Sequence, residues 1–237
     1  MTANPGYTQA MAPHGQRIEL VLFHDVLCSW CLIADARLRW LQRYELHDQV
    51  VIRYMAFPTR HRDTVPTPRE IKTLARHYTR VAKTNEGWGI VPDVWSGGDP
   101  PLSTIPPLVA LEAARRQGVE ARDRLWQKLR RAAFWDGINV ARRDVLIELA
   151  ERAELDVDRF LDALEDPATE HRVMAEHDDA ETRKINGVPA LVLRPLERYP
   201  GSPEWIAAGC RDIWEYREMV MRFRDKLEGQ DPERLRH

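Results

Sequence analysis

Short apolar segments near both ends of the chain predict the strands of a sheet. Ile18–His24 (IELVLFH) and residues 50–57 (VVIRYMAF) are rich in apolar and β-branched side chains, as buried strands are. Residues 188–193 (VPALVL) form a third candidate after the turn pair Asn186-Gly187, and residues 205–209 a weaker fourth. From Trp30 onward, apolar residues recur at helical spacing, so a helix should connect the first two strands. Such a unit predicts a right-handed βαβ crossover with parallel strands.

The middle of the chain has a different pattern. Residues 66–183 contain no convincing strand and several amphipathic helical stretches, among them 68–83, 107–117 and 121–134. The longest loop is predicted at 91–107, where prolines and glycines concentrate. A helix is also expected from 211 to 227. The order of elements indicates an α/β fold whose sheet is interrupted by a helical block the size of a small domain.

Composition narrows the function classes. The 237 residues carry 35 basic and 37 acidic side chains, so no strong attraction to nucleic acid or to acidic membranes is expected. No apolar run approaches the roughly 18 residues of a membrane-spanning helix. Residues 1–16 lack an apolar run of signal-peptide length, so we expect a flexible tail and a cytoplasmic location. Three cysteines are too few for a disulfide framework and typical of a reducing compartment.

Two of those cysteines form the motif Cys28-Ser29-Trp30-Cys31 at the start of the first predicted helix. Cysteines at i and i+3 on one turn share a face and lie close enough to form and open a disulfide. The helix N-terminus favours the thiolate form of the first thiol, so Cys28 is predicted to attack and Cys31 to resolve. Asp25 could tune this thiolate or be a solvated carboxylate at the strand end.

Other interpretations of the motif remain open at this level. The spacing also suits half of a zinc site, but His24 and Cys210 would have to complete it, because no second C-x-x-C exists. The pair could also be inert core residues. Cys210 itself is expected to be a half-buried residue without a redox role.

Three segments resemble one known family. HDVLCSWCLIADARLRWL resembles the active-site strand and helix of the DsbA-like thioredoxin superfamily, in particular its FrnE-like branch. Ser29 departs from the proline usual in that branch, which leaves the redox potential open. INGVPALVL resembles the family's cis-proline loop. The segments PPLVALEAARRQG and LRRAAFWDGINVARRDVLIELAERAELD resemble a helical insertion shared with 2-hydroxychromene-2-carboxylate isomerases.

The resemblance implies an α/β, thioredoxin-like fold with a large all-helical insertion that covers the active site. It divides the chain into a tail (1–16), a thioredoxin-like domain (17–65 and 184–230) and a helical insertion domain (66–183). It implies thiol-disulfide oxidoreductase activity of the reductase or isomerase kind. Cys28 and Cys31 would be catalytic, and Val188 and Pro189 would contact the substrate. Trp30, inside the motif, is expected to contact the substrate as well, with packing in the core as the alternative.

The same resemblance bears on partners and alternatives. It implies that no metal or organic cofactor is needed, and that glutathione could serve as a co-substrate. The substrate would be a thiol or disulfide, carried by a protein or by a small molecule. No nucleic-acid or membrane partner is expected, and the chain would be a monomer or homodimer. One alternative is a glutathione-dependent isomerase or transferase, although those relatives typically use a serine where Cys28 stands. Another is an adaptor that keeps the fold without catalysis.

Overall fold

A computed structural model describes residues 17–61 and 64–229, in which four strands form one mixed sheet. The strands follow the order β2-β1-β3-β4 across the sheet, with β1 parallel to β2 and the other pairs antiparallel. The predicted strands and the parallel βαβ unit are therefore confirmed. The strands are β1 (Ile18–His24), β2 (Val50–Ala56), β3 (Ala190–Pro195) and β4 (Trp205–Ala208).

Nine α-helices lie in the described residues. Short π-helical and 3-10 turns follow α1 (Gln42–Leu46, His47–Gln49), and a π-helical turn follows α5 (Arg131–Trp135). The helices are α1 (Ser29–Leu41), α2 (Pro68–Val81), α3 (Asp93–Ser96), α4 (Ile105–Arg115), α5 (Val119–Arg130), α6 (Arg143–Arg152), α7 (Val157–Glu165), α8 (Pro167–Thr182) and α9 (Ile213–Gly229).

Burial explains why the sheet forms where it does. All seven residues of β1 are buried, as expected for a central strand covered on both faces. On one face the strands pack against α1 and α9, through side chains such as Leu22, Leu38 and Phe223. On the other face Phe23 and Val192 pack against Ala180 of α8. A larger apolar core lies within the helical block and reaches the start of α1 through Leu32 and Ile33.

Two element boundaries differ from the sequence-based expectation. The predicted loop 91–107 contains α3, a single turn, and α4 already begins at Ile105. Pro106 and Pro107 are compatible with the first turn of α4, because N–H groups in the first turn of a helix have no hydrogen-bond partner within the helix. The third strand begins at Ala190 rather than 188, since residues 188 and 189 form a cis turn before it.

A buried ion pair joins the helical block to the sheet side of the molecule. The carboxylate of Asp35 on α1 accepts hydrogen bonds from Arg130 on α5, from Arg39 at 3.0 Å and from the Tyr54 hydroxyl at 2.6 Å. Only 2% of the Asp35 side chain is exposed. This contact fixes the end of α5 in the helical block against the helix that carries the dithiol.

The division of the chain into domains stays a prediction. The strands fall at 18–56 and 190–208 and helices α2 to α8 at 68–182, while residues 1–16 of the predicted tail and residue 230 lie outside the described residues. Across 17–61 and 64–229, no helix is both long and apolar enough to cross a membrane.

Candidate active site

Cys28 lies at the N-terminus of α1, directly after the turn that follows β1. Its backbone is extended (φ −83°, ψ 106°), and its sulfur accepts a hydrogen bond from the Cys31 N–H at 3.2 Å. A side chain at this position normally uses oxygen to satisfy a free N–H of the first turn, and here sulfur does so. Cys28 is half-buried, so its sulfur can meet a reagent while it lies in the field of the helix N-terminus.

Cys31 lies one turn further along α1 and is fully buried. Burial raises the pKa of its thiol well above the ordinary value, and the adjacent Cys28 and the Asp25 carboxylate raise it further. The three cysteines of the chain are free thiols in this structure. The pair therefore combines one accessible sulfur with one that stays protonated behind it.

The loop before β3 lies against Cys28, although the two are 160 residues apart in sequence. The peptide bond between Val188 and Pro189 is cis, as the resemblance implied. The Cys28 thiol points to the Val188 carbonyl oxygen, with 3.7 Å between sulfur and oxygen. On its other side the loop is held by the Gly209 N–H, which donates to the Pro189 carbonyl at 2.8 Å. Gly209 has φ +82°, which favours glycine at this turn.

Asp25 lies beneath the turn that leads from β1 to Cys28 and is 2% exposed. Its carboxylate accepts hydrogen bonds from the Leu27 N–H at 2.8 Å and from the N–H and hydroxyl of Thr59 at 2.7 Å each. Its own carbonyl accepts the Cys28 N–H at 3.2 Å. Burial raises the pKa of Asp25, while those hydrogen bonds and one from the Thr104 hydroxyl act in the opposite direction. The idea of a solvated carboxylate at this position is therefore wrong.

The helical insertion contributes directly to the site through α2. The buried Tyr78 hydroxyl donates to the Leu27 carbonyl at 2.8 Å, in the turn that positions Cys28. The guanidinium of Arg80 lies 5.8 Å from the ring centroid of Trp30, within cation–π range. Sequence reasoning missed both residues. The amphipathic pattern of α2 could have identified Tyr78 as a buried residue. It could not have identified the Leu27 carbonyl as the hydrogen-bond acceptor of the Tyr78 hydroxyl.

Cys210 directly follows the glycine that holds the cis-proline loop. It is half-buried, and its sulfur lies 3.9 Å from a guanidinium nitrogen of Arg37 on α1. Burial raises its pKa to about 11, although the Arg37 charge acts in the opposite direction. Arg37 also donates to the Arg211 carbonyl at 2.7 Å and pairs with Glu86, so it joins two loops beside α1. At neutral pH Cys210 is thus a poor nucleophile.

His24, the candidate zinc ligand, is buried against Trp126 of α5. Its ring stacks on that of Trp126, with 4.6 Å between centroids, and is 2% exposed. Burial, followed by Arg122 and Arg130, lowers the pKa of His24 well below its ordinary value. Residues 17–61 and 64–229 contain no group of three or more His, Cys, Asp or Glu side chains arranged to hold a metal ion.

The sequence-predicted residues thus meet in one place. Cys28, Cys31, Val188 and Pro189 converge from α1 and the loop before β3, and Trp30 lies half-buried between the cysteines. A half-buried sulfur beside the cis-proline loop, with a buried second thiol behind it, can exchange disulfides. The substrate-contact roles of Trp30, Val188 and Pro189 stay predictions.

Comparison with known proteins points to the same group of folds. The family described as "DSBA-like thioredoxin domain" matches residues 19–205. The ClpXP adapter protein SpxH of Halalkalibacterium halodurans is 28% identical over 180 residues, which are 74% of this chain and 58% of that protein. SpxH of Shouchella clausii is 33% identical over 98 residues, 40% of this chain and 33% of that protein. The chain thus spans less than two thirds of the length of both relatives.

Solved structures share the fold at low sequence identity. A candidate protein disulfide isomerase from Nitrosomonas europaea superposes with a TM-score of 0.71 and 19% identity, covering 91% of this chain and 100% of that one. The cytosolic disulfide reductase DsbM from Pseudomonas aeruginosa gives 0.63 and 20%, covering 90% and 98%. A 2-hydroxychromene-2-carboxylate isomerase gives 0.58 and 18%, covering 86% and 95%. At these identities the likeness establishes the fold.

Proposed function

The chain belongs to the family of DSBA-like thioredoxin domains, and from that premise we propose that it is a thiol-disulfide oxidoreductase working through Cys28 and Cys31. One observation carries the proposal. The half-exposed Cys28 sulfur lies at a helix N-terminus, 3.7 Å from the cis-proline loop, with a buried second thiol one turn behind it. An inert core pair would not combine one accessible and one buried thiol in this way.

The exchange proceeds in two steps. The Cys28 thiolate attacks one sulfur of the substrate disulfide, so a bond forms between Cys28 and that sulfur while the other sulfur leaves as a thiolate. The leaving thiolate takes the proton of Cys31, and the Cys31 thiolate then attacks the Cys28 sulfur. A Cys28–Cys31 disulfide forms and the second substrate sulfur is released. Two electrons pass from the dithiol to the substrate.

The environment of Cys31 supports this order of events. A thiol whose pKa is raised by burial and by the adjacent Cys28 remains protonated while Cys28 attacks, so the two sulfurs do not compete for the substrate. Asp25 has a positioning role, because its carboxylate fixes the turn through Leu27 and Thr59. The loop at Val188 and Pro189 would hold the substrate backbone beside Cys28.

We propose the reducing direction, as reductase or isomerase, in the cytoplasm. A chain with three cysteines is typical of a reducing compartment, where a dithiol rests mostly reduced. Glutathione is the co-substrate we propose for re-reducing the Cys28–Cys31 disulfide. It needs no site beyond access to the half-exposed Cys28 sulfur.

The test is a redox titration of the couple in glutathione buffers, read by mass spectrometry after thiol alkylation. We expect one two-electron transition that converts the protein between a dithiol and a Cys28–Cys31 disulfide. If the protein is a reductant, the midpoint potential of the Cys28/Cys31 couple should lie near or below the potential of the cytoplasmic glutathione pool. The Cys210→Ser variant should titrate like the wild type. Failure to form the Cys28–Cys31 disulfide at any buffer ratio would reject the proposal.

A second candidate function is that of an adaptor, favoured by the two SpxH relatives. An adaptor would bind a partner protein through this fold without turning over disulfides. The Cys28→Ala, Cys31→Ala double variant separates the two functions, because it lacks both thiols of the proposed redox couple. Unchanged partner capture together with no disulfide turnover in the wild type would favour the adaptor.

A further inference from the structure

Helix α2 carries a row of basic side chains on one face. Arg69, Lys72, Arg76 and Arg80 follow each other at intervals of three or four residues, and Lys83 continues the row just beyond the helix end. Residues at this spacing lie above one another on a helix surface. All five are exposed, whereas the opposite face buries Tyr78 and Val81. We call these five residues the α2 stripe.

No ion pair among residues 17–61 and 64–229 neutralises the stripe. Within the described residues no carboxylate pairs with any of its five cations, although most other arginines of the fold have such a partner. Glu70, the one acidic residue of α2, caps the helix with Thr67 and pairs with Arg60. Like charges at these intervals destabilise a helix, so the stripe costs stability in the isolated protein. Its charge is therefore available to a partner.

The stripe reaches the dithiol motif at Arg80. The Arg80 guanidinium covers the ring of Trp30, and Tyr78 on the same helix holds the turn before Cys28. From Arg80 the helix carries the stripe about 16 Å away, at 1.5 Å per residue, to Arg69. An extended polypeptide covers that distance with about five residues. A chain whose sulfur has reached Cys28 can thus run along the stripe.

We propose that the α2 stripe binds an acidic polypeptide segment that adjoins the cysteine or disulfide acted on by Cys28. The inference rests on the proposed oxidoreductase function and names the substrate class for it. Charge complementarity identifies the segment as rich in Asp and Glu. Its position at the dithiol selects a polypeptide over a nucleic acid or a lipid surface, because the bound molecule must also bring a sulfur to Cys28.

Synthetic peptides test the proposal on the full-length Cys31→Ser variant. Each peptide has one cysteine, which forms a mixed disulfide with 2-nitro-5-thiobenzoate. Four Glu residues flank this cysteine on its N-terminal side in one peptide and on its C-terminal side in another. Reference peptides carry four Gln residues in the same two positions. The Cys28 thiolate forms a disulfide with the peptide sulfur and releases nitrothiobenzoate, whose absorbance gives the rate. We expect one of the Glu peptides to react at least about ten-fold faster than its Gln counterpart at low salt. The advantage should fall towards unity in 0.5 M NaCl.

A matched pair of variants locates the effect. Arg69→Gln, Lys72→Gln and Arg76→Gln together remove three stripe charges and leave Arg80 on Trp30. The control removes three exposed cations away from α2 that likewise have no carboxylate partner in the described part of the chain, through Lys128→Gln, Arg159→Gln and Arg198→Gln. The stripe variant should lose the Glu preference, and the control should keep it.

The outcomes separate this inference from the function on which it rests. Equal rates for Glu and Gln peptides with the Cys31→Ser protein that keeps all five stripe residues, or equal loss of preference in both triple variants, would overturn the inference while leaving the oxidoreductase function intact. No release of nitrothiobenzoate from any peptide would instead reject the function itself. Stripe-dependent binding of duplex DNA or of phosphatidylserine vesicles, without a peptide preference, would replace the acidic polypeptide by that partner.

Discussion

The buried ion pair between α1 and α5 gives a stability prediction whose size and pH dependence both follow from the structure. The Asp35 carboxylate is 2% exposed and accepts hydrogen bonds from Arg130, Arg39 and Tyr54. Burial alone would raise its pKa, but Arg130 and Arg39 reverse that effect and lower the pKa from 3.8 to about 2. The Asp35→Asn variant keeps the shape of the side chain and removes the charge.

The magnitude can be worked out in two ways. A pKa lowered by nearly two units corresponds to about 2.5 kcal/mol in favour of the folded state at neutral pH. Removing one partner of a buried pair typically costs about 3–5 kcal/mol, because the remaining charge is left uncompensated. We therefore expect Asp35→Asn to lower the free energy of unfolding by about 2–4 kcal/mol at pH 7, and the melting temperature by roughly 5–15 °C.

Urea unfolding followed by far-UV circular dichroism measures the effect. The matched control is Glu148→Gln on α6, which breaks an exposed i,i+4 pair with Arg152 and should cost less than about 1 kcal/mol. A cost below about 0.5 kcal/mol for Asp35→Asn would show that the ion pair does not join the insertion to α1 as described.

The pH dependence provides an independent check. The folded pKa of Asp35 is depressed, so its stabilisation is present above the unfolded value near ~3.9 and is lost as pH falls through about 2. The difference between wild type and Asp35→Asn should therefore shrink as pH is lowered from about 5 towards 2. A difference that grows over this range would contradict the assignment.

Three further predictions follow from the site. Tyr78→Phe should cost about 1–3 kcal/mol because it leaves the buried Leu27 carbonyl without its donor, whereas exposed Tyr199→Phe should cost almost nothing in the same urea assay. In the Cys28→Ala, Cys31→Ala variant, the thiolate absorbance of Cys210 should appear only near pH 11, and a transition below 9 would contradict its burial. Gly209→Ala, at φ +82°, should lower the free energy of unfolding by about 1–2 kcal/mol, whereas Gly98→Ala should leave it nearly unchanged. Equal melting temperatures of the two variants would argue against the turn beside Pro189.

Much of the fold could be predicted because its signals are local. The apolar run of β1 and the helical spacing after Trp30 are properties of short windows, and both elements were correctly placed. The position of Cys28 and Cys31 at the start of α1 followed from the same windows. Their proximity to Val188 and Pro189, 160 residues away, came from family resemblance, because no window of sequence contains both segments.

The polar contacts around the dithiol could not be predicted, because the residues that make them come mostly from segments that are distant in the sequence. Asp25 directly follows β1, where a carboxylate can be solvated or buried, and only the donors of Thr59 and Leu27 decide between the two. Tyr78 lies on the apolar face of α2, but its hydroxyl partner is fixed by how α2 packs beside α1. These residues acquire their roles from tertiary neighbours.

Trapping of mixed disulfides tests whether Cys28 attacks the substrate and Cys31 resolves the adduct. In Cys31→Ala the exchange should stop after the first step, so disulfide-linked partners should accumulate and disappear on reduction. The Pro189→Thr change in that background should lengthen the lifetime of these adducts or alter their set, because the loop beside Cys28 gains an N–H.

The measurement compares adducts of Cys31→Ala and Cys28→Ala on non-reducing gels, with identification by mass spectrometry. We expect adducts joined through Cys28 in the first variant and none in the second, because the remaining thiols, Cys31 and Cys210, have pKa values raised by burial. Recovery of the same disulfide-linked species from Cys28→Ala, for instance through Cys210, would contradict the assigned roles.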